Sequence, residues 1–90
     1  MTTTSLLDYL KKEDSLLKEY DRNFDRQVSL LRTINDAEDY PSIYSIPKDE
    51  LQKYKDEVIA LDDREDEIRE ELKKTRASIR RYWVRLFDDV

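Results

Sequence analysis

Apolar residues recur along this chain at alternating steps of three and four. In the first half these steps visit Leu6, Leu10, Glu13, Leu17, Tyr20, Phe24, Gln27, Leu31 and Ile34, of which seven of nine are apolar. In the second half they visit Leu51, Tyr54, Val58, Leu61, Glu65, Ile68, Leu72, Thr75, Ile79, Tyr82 and Leu86, of which nine of eleven are apolar. Such steps keep side chains on one face of a helix, and their sustained alternation is the heptad seam of a coiled coil. The pattern predicts one helix over about 5–38 and a second over about 47–87. Ser5-Leu6-Leu7-Asp8 fits a capping box, whose two side chains satisfy amides left unpaired at a helix start. Pro47 suits a first helical position, and Asp49 and Glu50 sit where the helix dipole favours negative charge.

Between the helices lies Asp39-Tyr40-Pro41-Ser42-Ile43-Tyr44-Ser45-Ile46, a short connector that returns the chain as an antiparallel hairpin. The expected fold is all-α: a two-helix coiled-coil hairpin, one domain over 1–90, assembling into a larger helical bundle. Leu17, Tyr20, Phe24, Leu31, Val58, Leu61, Ile68 and Leu72 are the expected seam. An end-flush register sets Leu6 against Leu86, Leu10 against Tyr82, Leu17 against Thr75 and Phe24 against Ile68. It also brings Gln27 opposite Glu65, a polar layer of the kind that fixes register at some cost in stability. Leu16, Val28, Leu30 and Ile59 widen the apolar stripe beyond what one neighbouring helix covers. They are the expected partner-binding residues, with Trp83 and Phe87 at the tip. Tyr40, Ile43, Tyr44 and Ile46 are expected to plug the end of the bundle against Leu51 and Tyr54.

Composition narrows the function. The 90 residues contain no Gly, no Cys and no His. Phosphate-cradling loops need Gly for close backbone approach, and zinc sites, disulfides and Ser-His or Cys-His nucleophile pairs need Cys or His. No catalytic residue, cofactor or metal is expected, and no small-molecule substrate. The acidic run Asp62-Asp63-Arg64-Glu65-Asp66-Glu67, with Glu70 and Glu71, lies inside a predicted helix without the Gly-assisted turn of a calcium loop. It is expected to be a solvated face with ion pairs at helical spacing. A net charge of -5 argues against a general nucleic-acid binder. No apolar run approaches the ~20 residues of a membrane span, and the chain is expected to be soluble and intracellular.

Charge is unevenly spread along the second helix. Lys48 to Leu72 holds eleven acids and five bases, whereas Lys73 to Phe87 holds six bases and no acid. Arg76, Arg80, Arg81 and Arg85, interleaved with Tyr82, Trp83 and Phe87, form a basic, aromatic tip. That polarity complements the helix dipole, and it also offers a grip for an acidic protein, a phosphate backbone or an anionic surface.

Leu7-Asp8-Tyr9-Leu10, Arg22-Asn23-Phe24 and Ile79-Arg80-Arg81 resemble the N-terminal dimerisation domain of the inhibitor-of-growth chromatin proteins. The resemblance touches about ten residues, and Leu16-Leu17 stands where that family has Leu-Pro. It implies a helical hairpin that dimerises and anchors a chromatin-associated complex. The residues themselves point to a non-catalytic assembly subunit or adaptor that binds helices, its own or another protein's. The alternative they leave is a binder of anionic partners through the basic tip.

Overall fold

The computed structural model describes residues 5–88, with side chains through Leu86. Two α-helices, α1 (Leu6–Asp39) and α2 (Lys48–Asp88), make up the regular secondary structure of the described residues. α1 opens on the expected capping box: the Ser5 hydroxyl accepts from the Asp8 amide, and the Asp8 carboxylate accepts from the Ser5 amide. α2 begins one residue later than expected. Pro47 precedes it, and the Pro47 carbonyl accepts the first helical bond from the Leu51 amide at 3.0 Å.

Glu13 pairs with Arg76, Glu19 with Arg64, Asn23 with Leu61, Arg26 with Glu57 and Glu38 with Lys55. Partner numbers fall as α1 numbers rise, so the helices pack as an antiparallel hairpin. The molecule measures 69 × 24 × 15 Å, a rod one layer thick.

The core is a single stripe. α1 buries Leu16, Asn23, Leu30, Ile34 and Ala37, and α2 buries Ile68, Leu72 and Thr75. Leu16, Ile68 and Leu72 form its centre, with Tyr20 packed alongside. Thr75 enters it without an orphaned hydroxyl, because its Oγ1 donates to the Glu71 carbonyl at 2.8 Å. On α2 the shielded side follows the expected positions: Tyr54, Val58 and Leu61 are half-buried.

On α1 the shielded side differs from expectation by a rotation. Leu17, Phe24 and Leu31, the expected seam, remain 38, 55 and 46% exposed, while Leu16 and Leu30, expected on the partner face, are buried. Glu13, Tyr20, Gln27 and Ile34 belong to both stripes. The other half of the inner stripe comes from Tyr9, Leu16, Asn23, Leu30 and Ala37 instead of Leu10, Leu17, Phe24 and Leu31. One residue is about 100° of helix, so exchanging half the positions turns the face by about 50°. Several facing partners change with it, although Gln27 still meets Glu65. Tyr9 meets Tyr82 edge-to-face at 5.9 Å, where Leu10 was expected, and Leu16 packs on Ile68 and Leu72, whereas Leu17 was expected opposite Thr75 and Phe24 opposite Ile68.

Polar groups account for the rotation. Turned inward, Asn23 donates from Nδ2 to the Leu61 carbonyl at 2.9 Å, and the rotation brings Glu19 and Arg26 within reach of Arg64 and Glu57. The connector does not plug the end of the hairpin as expected. Tyr40, Ile43 and Tyr44 are exposed and Ile46 is half-buried, in a turn where the Ile43 and Tyr44 amides both donate to the Tyr40 carbonyl.

Candidate interaction surface

The two long edges of the hairpin differ in chemistry. One is closed by charge. Arg64 grips Glu19 through Nε at 2.6 Å and a second nitrogen at 2.8 Å, and also reaches Glu67 at 2.9 Å. One helical repeat away, Arg26 makes the same two-pronged contact with Glu57, at 2.8 and 3.1 Å. Paired hydrogen bonds of this kind add directional specificity to an ion pair. The Arg64 guanidinium holds the Glu19 carboxyl below the usual carboxylate value, and Arg26 does the same to Glu57.

A polar layer crosses the middle of the seam. Gln27 Nε2 donates to the Glu65 carboxylate at 3.2 Å and also to Asn23 Oδ1. The structure thus brings together the two residues expected in that layer and adds Asn23, which sequence patterning passed over. Gln27 and the Tyr20 hydroxyl depress the Glu65 carboxyl below its ordinary value, partial burial opposes them, and Arg69 assists. Arg69 pairs with Glu65 at 2.8 Å. The acidic run therefore spends its members unequally. Glu65 faces the seam and Glu67 serves Arg64, while Asp62, Asp63 and Asp66 stay exposed.

The opposite edge is open. Ion pairs mark two places along it, Lys55–Glu38 at 2.7 Å and Arg76–Glu13 at 2.9 Å. Leu17, Phe24 and Leu31 lie between these pairs and Leu10 beyond them, every seventh residue of α1, each at least 38% exposed. Leu7 joins them at 58%. Of the residues expected to meet a partner, Val28 is half-buried beside this stripe and Ile59 is exposed on α2. Leu16 and Leu30 are consumed by the hairpin itself. Scattered surface leucines are ordinary, whereas Leu10, Leu17, Phe24 and Leu31 share one side of α1 at a regular spacing.

At the free end of the hairpin the basic segment is divided. Arg76 is neutralised by Glu13; Lys73, Lys74, Arg80, Arg81 and Arg85 form no ion pair among the described residues. A groove of about 530 Å³ runs along Arg69, Leu72, Lys73, Arg76, Ala77 and Arg80. A smaller hollow of about 140 Å³ lies between Tyr9, Ser78, Arg81, Tyr82 and Arg85. Trp83 is half-exposed, and the Phe87 side chain lies outside those described. No group of metal-binding side chains occurs among the described residues, and no helix among them is long and apolar enough to cross a membrane.

No protein-family model, curated protein or solved structure matches this chain. The likeness to the inhibitor-of-growth dimerisation domain stands on its three short motifs alone.

Proposed function

We propose that this chain is a non-catalytic, intracellular assembly subunit, a coiled-coil hairpin whose open edge binds other helices. One observation carries the proposal: Leu10, Leu17, Phe24 and Leu31 form an apolar row that the hairpin leaves exposed. Burying such side chains is worth about 1.5–3 kcal/mol each relative to leaving them in water. The charged edge, already saturated by its own ion pairs, has no such gain to offer. The absence of His, Cys and Gly favours binding over chemistry for this surface.

The test is a photo-crosslinking residue placed at Phe24 or Leu31 and, for comparison, at Glu57 or Asp63 on the closed side, in the cell that makes the protein. Crosslinks to protein from Phe24 and Leu31 and few from Glu57 and Asp63 are expected. Equal yields from both edges, or none, defeat the proposal.

The basic groove favours a second reading, an anionic partner held by Lys73, Arg80, Arg81 and Arg85. It requires binding that weakens steeply with salt and is lost on charge reversal at Arg80 and Arg81. Salt-insensitive binding removes it.

A further inference from the structure

We propose that the occupant of the open edge is a second copy of this chain, packed antiparallel, α1 against α1, in a four-helix assembly. This takes the open edge to be an assembly surface, as above, and names what covers it.

Three features of the chain agree on this arrangement. First, α1 carries a complete second stripe. Positions 7, 10, 14, 17, 21, 24, 28, 31 and 35 follow the same three-four alternation as the buried stripe, and six of these nine are apolar. This stripe is displaced from the buried one by one residue, about 100° around the helix. A helix at the corner of a square of four meets its two neighbours at nearly that angle. A helix that packs against one neighbour needs a single stripe.

Second, four apolar members of this stripe match one another when the helix is reversed. Leu10, Leu17, Phe24 and Leu31 are evenly spaced. A two-fold axis midway between Leu17 and Phe24 brings Leu17 level with Phe24 of the second copy, and Leu10 level with Leu31. An interface between identical chains about a two-fold must be self-complementary in this way.

Third, α2 has its own symmetry at the same height. The axis crosses α1 at Tyr20, which packs beside Ile68 and interacts with Glu65 and Arg69. Midway between Asp66 and Arg69, the same axis sets Asp66 level with Arg69 of the second copy and Asp62 level with Lys73. All four are exposed, and Asp62, Asp66 and Lys73 make no salt bridge among the described residues. One like pair, Lys55 with Arg80, comes level toward the outer ends of the contact. Parallel packing would instead set Asp62, Asp66, Arg69 and Lys73 each level with its own copy, like charge against like.

The surface area is large enough for such a contact. The chain exposes 7376 Å², against about 5,600 Å² for a compact monomer of its mass. The excess, about 1,800 Å² per chain, exceeds the ~800 Å² per partner of a standard stable interface.

Sedimentation equilibrium of the purified 90-residue chain from about 1 to 100 µM tests the proposal. Twice the 10.9 kDa chain mass is expected. Phe24→Glu and Leu31→Lys should each weaken the dimer at least tenfold while circular dichroism keeps its helical signal, because both side chains are exposed in the hairpin. A spin label at Arg32→Cys, beside the stripe, fixes the direction. Antiparallel copies place the two labels about 35 Å apart along the axis, and parallel copies place them level, from the 1.5 Å rise per residue.

A chain of 10.9 kDa at every concentration, labels in close proximity, or a dimer indifferent to both substitutions overturns the proposal. A monomer that nevertheless crosslinks a different protein through Phe24 overturns it and leaves the assembly reading standing. A monomer with no crosslinks from that edge removes both.

Discussion

Adjacent leucines on α1 have opposite fates. Leu16 is buried against Ile68 and Leu72, whereas its neighbour Leu17 is 38% exposed. In the monomeric Phe24→Glu background, Leu16→Ala should cost about 2–5 kcal/mol, since it leaves a cavity at the centre of the core. Leu17→Ala in the same background should stay within about 0.5 kcal/mol, as surface substitutions do. Urea unfolding of the two variants checks this, and equal losses would mean that both stripes share the seam. Ile68 is fully buried, and Ile68→Ala belongs with Leu16→Ala. A second residue-scale expectation concerns acid. Glu19, Glu57 and Glu65 all have carboxyl pKa values lowered by partners in the fold. A depressed carboxyl stabilises the fold above its unfolded pKa, near 4.5, and loses that contribution as pH falls through the folded value. Urea midpoints should therefore drop as pH falls below about 4.5. Glu65→Gln should flatten part of that drop, and an unchanged pH profile in this variant would show that the polar layer carries no proton linkage.

The elements themselves were legible in the sequence, because each rests on local rules. The Ser5–Asp8 box, the Pro47 boundary and the unbroken three-four alternation each mark a helix without reference to the other one. Ser5→Ala should cost about 1 kcal/mol, read as lost helicity at the start of α1; no change would mean that the first turn frays regardless. The facing of α2 was legible too, for most of its apolar residues lie in one stripe, interrupted by Glu65 and Thr75. The facing of α1 was not, and the reason is physical. Stripes through Leu10, Leu17, Phe24 and Leu31 and through Tyr9, Leu16, Leu30 and Ala37 share Tyr20 and Ile34, and the first is the more apolar of the two. Hydrophobic counting therefore favours the stripe left outside. Pairwise polar contacts between α1 and α2 decide the matter: Asn23 to the Leu61 carbonyl, Arg64 to Glu19, Arg26 to Glu57. Those pairs become visible in a sequence after the register is known. The expected partner face failed for the same reason, with Leu16 and Leu30 drawn into the hairpin and Phe24 left in their place. Asn23 had one signal, its place at steps of seven between Leu16 and Leu30.

At the scale of the whole molecule, a rod 15 Å thick has no interior, among the described residues, beyond the contact of its two helices. Most side chains can shed water on one side at best, so an isolated hairpin retains little stability after conformational entropy is counted. Binding that occurs in the folded state alone adds stability by mass action. If a second copy covers the open edge, unfolding and dissociation are one process, and the melting temperature depends on protein concentration. Raising the chain from about 2 to 200 µM should then raise the wild-type melting temperature by several degrees. Phe24→Glu removes the contact without disturbing the core, so its melting temperature should be lower and the same at both concentrations. A wild-type melting temperature that does not move with concentration would place the hairpin's stability within its own seam. Leu16, Ile68, Leu72 and the Glu19–Arg64 and Arg26–Glu57 pairs would then have to hold the rod together alone, and the apolar row on α1 would be left to a different protein.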